Sequence, residues 1–203
     1  MRKFESIKVK PATERGKIAP SKIGHFVVNS TPENYEKMVS WYETVLESEV
    51  SYANDFVAFL AYDDEHHRIG IAAVPDLGPQ PENVVGLNHI AFGYENLDQL
   101  IATFKRLRNQ GIETYWPINH GPTISFYYKD PDGNRVELFV DVFQTDEQIE
   151  EYFTGGAFQE NFMGIIFDPD KLIRDFEAGV PFEELTKRPK LPEGMTGWDM
   201  FRP

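Results

Sequence analysis

Two stretches of the chain share one pattern, KIGHFVV at residues 22–28 and GLNHIAF at residues 86–92, each with a histidine at its fourth position. Both runs are apolar enough for a buried β-strand, and each precedes an amphipathic helix and three further strand-like segments. The sequence therefore predicts a β-α-β-β-β order that occurs twice. We interpret the chain as an internal duplication of the α+β class, with two tandem βαβββ modules forming a curved mixed sheet.

Prolines and changes in periodicity divide the 203 residues into five parts. The N-terminal stretch contains Pro11 and Pro20 without sustained periodicity, and three prolines with one glycine lie between Pro75 and Val85. We predict one compact domain built from an N-terminal arm (1–21), a first module (22–75), a linker (76–85), a second module (86–142) and a C-terminal helical extension (143–203).

Periodicity and turn residues also predict individual elements within the modules. In the first module we expect a strand over 22–29 and then a helix that Thr31 caps. In the second we expect a helix over 97–110, a strand over 112–116 and a hairpin around 130–134.

Composition excludes several classes of function. The chain has 20 basic and 33 acidic residues, a net charge of −13, so we expect no binding to nucleic acid or to anionic membranes. It has no cysteine, which excludes disulfides and thiolate metal sites. Neither a signal-like N-terminus nor an apolar run of membrane-spanning length is present, so we expect a cytoplasmic protein.

Comparison of the two halves identifies three candidate metal ligands. Overlaying the halves places His25 on His89, and the segment from Phe59 to Gly70 on the segment from Phe126 to Glu137. A site between the halves would have two imidazoles, one carboxylate and a vacant position at Gly70. This set leaves one coordination face open and is typical of non-haem Fe(II) oxygenases, with Mn(II) as an alternative.

The glutamate is the most informative member of this set. It interrupts an apolar strand between Val136 and Leu138, and burying Glu137 is costly unless the carboxylate is paired or bound to a metal. The alternative interpretation is a structural pair between Glu137 and an arginine or histidine.

Four further side chains are candidates for the surroundings of this site. A three-residue loop at 131–133 would place Tyr127 directly opposite Glu137, beside the metal. One of His66 and His67 could reach the open face as a proton acceptor and donor, and simple strand alternation favours His66. His120 either donates a hydrogen bond to a bound ligand or is an exposed loop residue.

The motifs GHFVV, NHIAF and RVELF resemble the vicinal oxygen chelate superfamily over roughly residues 20–142. Within it, EHHRI at 65–69 and SFY at 125–127 are similar to the type I extradiol ring-cleavage dioxygenases, which include biphenyl-diol and catechol 2,3-dioxygenases. The chain resembles their smaller, single-domain members. The resemblance implies Fe(II) at His25, His89 and Glu137, an acid-base role for His67, substrate contacts from His120 and Tyr127, and meta cleavage of a catecholic substrate by dioxygen.

Other functions remain open at this point. One is another metalloenzyme of the superfamily: a glyoxalase, an epimerase or a manganese-dependent transferase. Glyoxalases normally use a fourth ligand that Gly70 does not supply. Another is a metal-free module that binds an aromatic ligand. We expect a homo-oligomer, and we expect the extension to pack on the sheet through Phe162, Met163, Ile165 and Ile166, where it would line either the substrate entrance or a subunit contact.

Overall fold

The computed structural model describes residues 9–81 and 84–202. The start of the predicted arm, two residues of the predicted linker and Pro203 lie outside this range. Its elements are β1 (Phe26–Ser30), α1 (Tyr35–Leu46), β2 (Glu49–Ala53), β3 (Val57–Ala61), β4 (Ile69–Ala73), β5 (Ile90–Tyr94), α2 (Leu97–Asn109), β6 (Trp116–Asn119), β7 (Thr123–Lys129), β8 (Arg135–Asp141), α3 (Asp146–Thr154), α4 (Ala157–Glu160), β9 (Ile165–Ile166), α5 (Pro169–Glu177) and α6 (Phe182–Leu185), with 3-10 helices at Thr13–Arg15 and Gly197–Met200. The repeated βαβββ order and the α+β class are confirmed.

The described residues form two compact units. The first-sheet unit comprises Ile18–Ile90 and Lys129–Val136. The second-sheet unit comprises the described residues up to Lys17, then Ala91–Tyr128, and the chain from Glu137 onward. The predicted part boundaries stay predictions. No helix of the described ranges is long and apolar enough to cross a membrane.

The first sheet has the strand order β1-β4-β3-β2, with β1 parallel to β4. Alternation along β3 buries Ala58 and Leu60 completely, and α1 packs on β3 and β4 with Met38 and Tyr42 also fully buried. The other face of this sheet carries Phe59, which is paired with Gly70. One face is therefore core, and the opposite face remains open to other partners.

The second sheet has the order β5-β8-β7-β6-β9, so its last strand comes from the C-terminal extension. Ile118 and Asn119 of β6 pair with Ile166 and Ile165 of β9. On the helical face, Phe126 stacks on Phe104 of α2 with ring centroids 4.6 Å apart. The prediction that the extension packs on the sheet is confirmed for Met163, Ile165 and Ile166. Phe162 is instead 37% exposed, and its ring lies 4.9 Å from the ring of Trp198 in the extension itself.

Asp130 organises the turn between β7 and β8. Its backbone N–H donates to the Asn134 carbonyl at 2.9 Å, and its carboxylate accepts from the N–H groups of Asp132 and Asn134. Tyr42 of α1 also donates to this carboxylate, at 3.0 Å. The turn is therefore part of the first-sheet unit, together with Lys129 of β7 and Arg135 and Val136 of β8.

Several predicted element boundaries were wrong. The predicted strand over 112–116 lies too early, because β6 begins at Trp116. Thr31 does not cap α1; its carbonyl accepts from Asn34 and Tyr35 in a turn, and the helix begins at Tyr35. The strand predicted over 22–29 is β1, which begins only at Phe26, and β5 begins at Ile90. Both predicted strand histidines therefore precede their strands by one residue.

Candidate functional site

In the first-sheet unit, Arg68 brings the segments around His25 and His67 together. Its guanidinium donates to the carbonyls of Ile23 and Gly24, both at 2.9 Å, and its own carbonyl accepts from Phe26 N–H at 3.1 Å. The parallel strands β1 and β4 therefore start side by side, β1 directly after His25 and β4 two residues after His67. The rings of His25 and His67 have centroids 4.4 Å apart.

The structure distinguishes the two adjacent histidines. The His67 ring lies 4.4 Å from the His25 ring and 4.6 Å from the Phe59 ring, whereas the side chain of His66 is 75% exposed. Burial and the neighbouring imidazoles of His25 and His66 lower the pKa of His67 below its usual range. His67 is therefore neutral at pH 7. Its ring lies beside Phe59 on the open side of the first sheet, whereas simple strand alternation favours His66 for this position.

Gly70 occupies the position that corresponds to the glutamate of the second sheet. A Cβ atom there would lie 3.0 Å from Val27 Cγ2 and 3.5 Å from Phe59 Cε1, so neighbouring side chains cover the site of a fourth ligand. Gly70 pairs with Phe59, which makes Phe59 the counterpart of Tyr127. The predicted equivalence of Phe59 and Phe126 was wrong by one residue, because Phe126 lies on the helical face.

In the second-sheet unit, Tyr127 and Glu137 meet across the β7–β8 hairpin. Asp130 and Asn134 pair at the turn, so counting three residues back along each strand makes Tyr127 and Glu137 partners. Both side chains are buried, at 3% and 7% exposure, and the phenol hydrogen-bonds to the carboxylate. Burial, and then the Glu137 carboxylate, raises the pKa of Tyr127, so its hydroxyl keeps its proton.

His120 lies between β6 and β7, half-buried, with its Nε2 atom 3.1 Å from the Tyr127 hydroxyl. Its Nδ1 atom contacts the Met163 carbonyl of the extension. A carbonyl only accepts, so Nδ1 carries a hydrogen. The alternative of an exposed loop histidine was wrong, and the sheet places His120, Tyr127 and Glu137 in one hydrogen-bonded row.

An aromatic and apolar cluster, formed by β6 and the C-terminal extension, lies beside this row. Trp116, paired with Tyr127 across β6 and β7, has its ring 4.6 Å from the Tyr127 ring and 5.7 Å from that of Phe201. Its indole N–H is buried without a hydrogen-bond partner in the described part of the chain. The other members of this cluster are Tyr115, Ile118, Met163, Ile166, Leu191 and Met200.

His89 directly precedes β5, as His25 precedes β1. Its Nδ1 lies 2.7 Å from Asn88 Oδ1, an acceptor, so Nε2 is the ring nitrogen suited to a metal. Within residues 9–81 and 84–202, no three histidine or acidic side chains form a group that could hold a metal ion. The ligand set of His25, His89 and Glu137 stays a prediction. Its donors, two imidazoles and a buried carboxylate in a chain without cysteine, fit Fe(II) or Mn(II).

Sequence reasoning missed the residues of the extension that hold His120. These are Tyr152, Met163, Gly164 and Arg188. The apolar character of the extension predicted contact with the sheet, but periodicity carries no information about which carbonyl or guanidinium would meet a loop histidine.

Two proteins similar to this chain are both named as biphenyl-2,3-diol 1,2-dioxygenases. The chain is 36% identical over 83% of its length to biphenyl-2,3-diol 1,2-dioxygenase 2 of Rhodococcus globerulus, covering 88% of that protein. It is 41% identical over 82% of its length to biphenyl-2,3-diol 1,2-dioxygenase 3 of the same organism, again covering 88%. A solved glyoxalase/dioxygenase from Nostoc punctiforme has the same fold, with a TM-score of 0.52 and 17% identity, over 61% of this chain and 95% of that one.

The family match covers most of the repeated part of the chain. Residues 22–138 match the Glyoxalase/Bleomycin resistance protein/Dioxygenase superfamily. This range begins before β1 and ends within β8, just after Glu137, so it includes all the candidate ligands. The chain therefore belongs to the glyoxalase/bleomycin resistance protein/dioxygenase superfamily.

Proposed function

We propose that this protein is an extradiol dioxygenase, which cleaves the ring of a catecholic substrate next to its two hydroxyl groups and inserts both atoms of dioxygen. The observation that carries the proposal is the position of the Tyr127 hydroxyl between His120 Nε2 and the buried Glu137 carboxylate. Relatives named as biphenyl-2,3-diol dioxygenases, similar over most of the chain, support it.

In this proposal His25, His89 and Glu137 hold Fe(II), with Mn(II) as the alternative ion. The metal, when bound, would act as a Lewis acid that binds the oxygen atoms of the diol and dioxygen. The buried Glu137 carboxylate would contribute the negative charge of the set. A hydrogen bond from His89 Nδ1–H to Asn88 would leave Nε2 of His89 to bind the metal.

Tyr127 and His120 orient the substrate. The Tyr127 phenol stays protonated, so it can donate to a substrate oxygen and accept from a substrate hydroxyl. His120 Nε2, 3.1 Å from the phenol oxygen, is a second acceptor for the phenol hydrogen beside the Glu137 carboxylate. Together they recognise a hydroxyl-bearing aromatic ring.

His67 moves the substrate proton. Its ring is held between His25 and Phe59, which restricts its orientation, whereas His66 is exposed. An imidazole so held accepts a proton from a hydroxyl of the diol and returns it to the ring-opened product. Phe59 and Val27 offer apolar surface on the same face of the first sheet.

The glyoxalase alternative is disfavoured by one observation. A fourth ligand would have to replace Gly70, where Val27 and Phe59 already occupy the space around an added Cβ. The manganese-dependent transferase and the metal-free binding module become outcomes of the test below. Homo-oligomeric assembly and cytoplasmic location stay predictions.

The test is anaerobic loading of the purified full-length protein with Fe(II), followed by a panel of substituted catechols in an oxygen electrode. We expect oxygen uptake and a yellow ring-fission product with at least one vicinal diol, and loss of both after removal of iron by a chelator. Activity without oxygen uptake would instead favour another reaction of the superfamily. Tight binding of a diol by metal-free protein without turnover would favour the binding module.

A further inference from the structure

Arg188 connects four segments of the second-sheet unit. Its Nη1 atom donates to the Tyr152 hydroxyl and to the Asn161 carbonyl, both at 2.8 Å, and its Nη2 atom donates to the Ala157 carbonyl at 3.1 Å. A longer contact of 3.4 Å joins Nη1 to the His120 carbonyl. The guanidinium also lies 5.0 Å from the Tyr152 ring centroid. A planar guanidinium can satisfy such a divergent set of acceptors, whereas a lysine ammonium cannot.

The same hydrogen-bond network contacts both the backbone carbonyl and the ring of His120. The Tyr152 hydroxyl accepts from Arg188 and donates to the His120 carbonyl at 2.7 Å. Asn161, whose carbonyl meets Arg188, holds the following turn through its side chain, which donates to the Gly164 carbonyl at 2.8 Å. That turn presents the Met163 carbonyl to His120 Nδ1.

Two glycines allow this close approach. A Cβ on Gly164, at φ +119°, would lie 2.4 Å from the Asn119 carbonyl oxygen and 2.8 Å from His120 Cα. A Cβ on Gly121, at φ +102°, would lie 2.7 Å from the Tyr152 ring. The extension therefore sits on the His120 loop at a distance that few other residues would permit.

The contact with the Met163 carbonyl defines the tautomer of His120. The Met163 carbonyl keeps the hydrogen on Nδ1, so the neutral His120 ring presents the lone pair of Nε2 to the Tyr127 hydroxyl. The phenol then has two acceptors for its one hydrogen, His120 and Glu137. The orientation of the substrate-facing phenol depends on which tautomer His120 adopts.

We propose that Arg188 is a positioning residue for His120: it fixes the 161–164 turn and Tyr152 so that His120 keeps its hydrogen on Nδ1 and offers Nε2 to Tyr127. Arg188 does not contact the substrate. The effect on catalysis rests on the proposed function, but the tautomer does not.

The first experiment reads the tautomer directly. Full-length protein labelled with 15N-histidine, freed of metal by a chelator, is studied by long-range 1H–15N correlation spectra, with His120→Asn used to assign the signals. We expect the Nδ1–H tautomer in the wild type, a mixture of tautomers in Arg188→Gln, and an intermediate result in Arg188→Lys. Arg174→Gln, an exposed arginine of the same extension, serves as the control and should match the wild type.

A folded Arg188→Gln protein with the wild-type tautomer would overturn the inference. If that variant does not fold, Tyr152→Phe answers the same question, because it removes the hydroxyl that joins Arg188 to the His120 carbonyl and keeps the ring. An unchanged tautomer in folded Tyr152→Phe would also count against the inference.

The second experiment is a double-mutant cycle on diol cleavage. Arg188→Gln should lower kcat/KM by about tenfold, the lower end of what loss of a supporting partner costs at such sites. In a His120→Ala background, the same change should have almost no further effect, because Arg188 acts through His120. Equal losses in both backgrounds would show a merely structural role. Absence of cleavage by the wild type would refute the proposed function, while the spectra would still test Arg188.

Discussion

The two sheets are built alike but bear different surfaces at equivalent positions. In the first, Gly70 faces Phe59, and Val27 beside them is 53% exposed. In the second, Glu137 faces Tyr127, both are buried, and the C-terminal extension packs alongside. The two copies thus share the scaffold, and the second carries the carboxylate and its supporting partners.

The two sheets differ in the partners that they provide for a buried carboxylate. Burying a charge is costly without partners. The second sheet provides the Tyr127 hydroxyl, and Tyr127 in turn has His120 and the extension around it. The first sheet provides apolar and imidazole rings, which suit a substrate ring and a proton-transfer group.

Removing the carboxylate should have the largest effect. Glu137→Gln keeps the size of the side chain and an acceptor for Tyr127, but it loses the charge that we assign to the metal. We expect bound iron and ring cleavage to fall by more than the ~10- to 100-fold that loss of a supporting partner causes. Metal analysis and oxygen uptake are the measurements, and Asp141→Asn, on the same strand, is the control. Full iron content in Glu137→Gln would refute the ligand assignment.

The next largest loss of turnover should come from replacing His67, beside the first sheet. His67→Phe keeps an aromatic ring between His25 and Phe59 but cannot transfer a proton. Turnover should fall by roughly 10²- to 10⁴-fold, the usual contribution of a general acid-base group, while iron is retained. His66→Phe should change turnover far less. The opposite ranking of these two variants would assign the role to His66.

Two glycine substitutions test the close contact between the C-terminal extension and the His120 loop. Gly164→Ala places a Cβ against backbone atoms of Asn119 and His120 at a left-handed φ, whereas Gly179→Ala, at φ +77°, meets nothing within 4 Å. We expect Gly164→Ala to lose about 1–3 kcal/mol of unfolding free energy more than Gly179→Ala, the cost of overpacking. Urea denaturation measures both, and equal losses would contradict the close approach.

The smallest effect is a pH dependence in the first-sheet unit. Burial raises the pKa of Asp130 above its ordinary value of 3.8, against the hydrogen bonds from Asn134 and Tyr42. A carboxyl whose folded pKa is raised adds stability below the unfolded pKa and loses it as the pH rises through the folded pKa. The stability of the wild type relative to Asp130→Asn should therefore fall from pH 4 upward. If the stability of the wild type relative to Asp130→Asn instead rises with pH, the hydrogen bonds lower the pKa of Asp130 more than burial raises it.

Much of the fold followed from the sequence because its repeats are strongly patterned. The order of elements, the turn at Asp130 and the pairing of Tyr127 with Glu137 all depend on local periodicity and turn chemistry. Boundaries were less accurate at β6, where an irregular segment with strand-like composition precedes Trp116. The equivalence of Phe59 and Phe126 failed because a one-residue shift in a strand exchanges its faces, which apolar composition alone does not reveal.

The site was predicted less completely than the fold. Candidate ligands and Tyr127 stood out as polar residues in apolar strands, and the structure brings His25 to His67 and Tyr127 to Glu137. The support of His120 depends on contacts between residues more than 30 positions apart, such as those with Tyr152 and Met163. Such contacts leave no periodic signal in the chain.

The most direct test of the proposed function is ring cleavage of a reactive catechol by the Fe(II)-loaded protein under 18O2, with mass spectrometry of the product. We expect a meta-cleavage product that carries both atoms of 18O2, one in the new carbonyl group and one in the new carboxylate, when exchange with water is minimised. A product without label from 18O2, or no product from any vicinal diol, would contradict it.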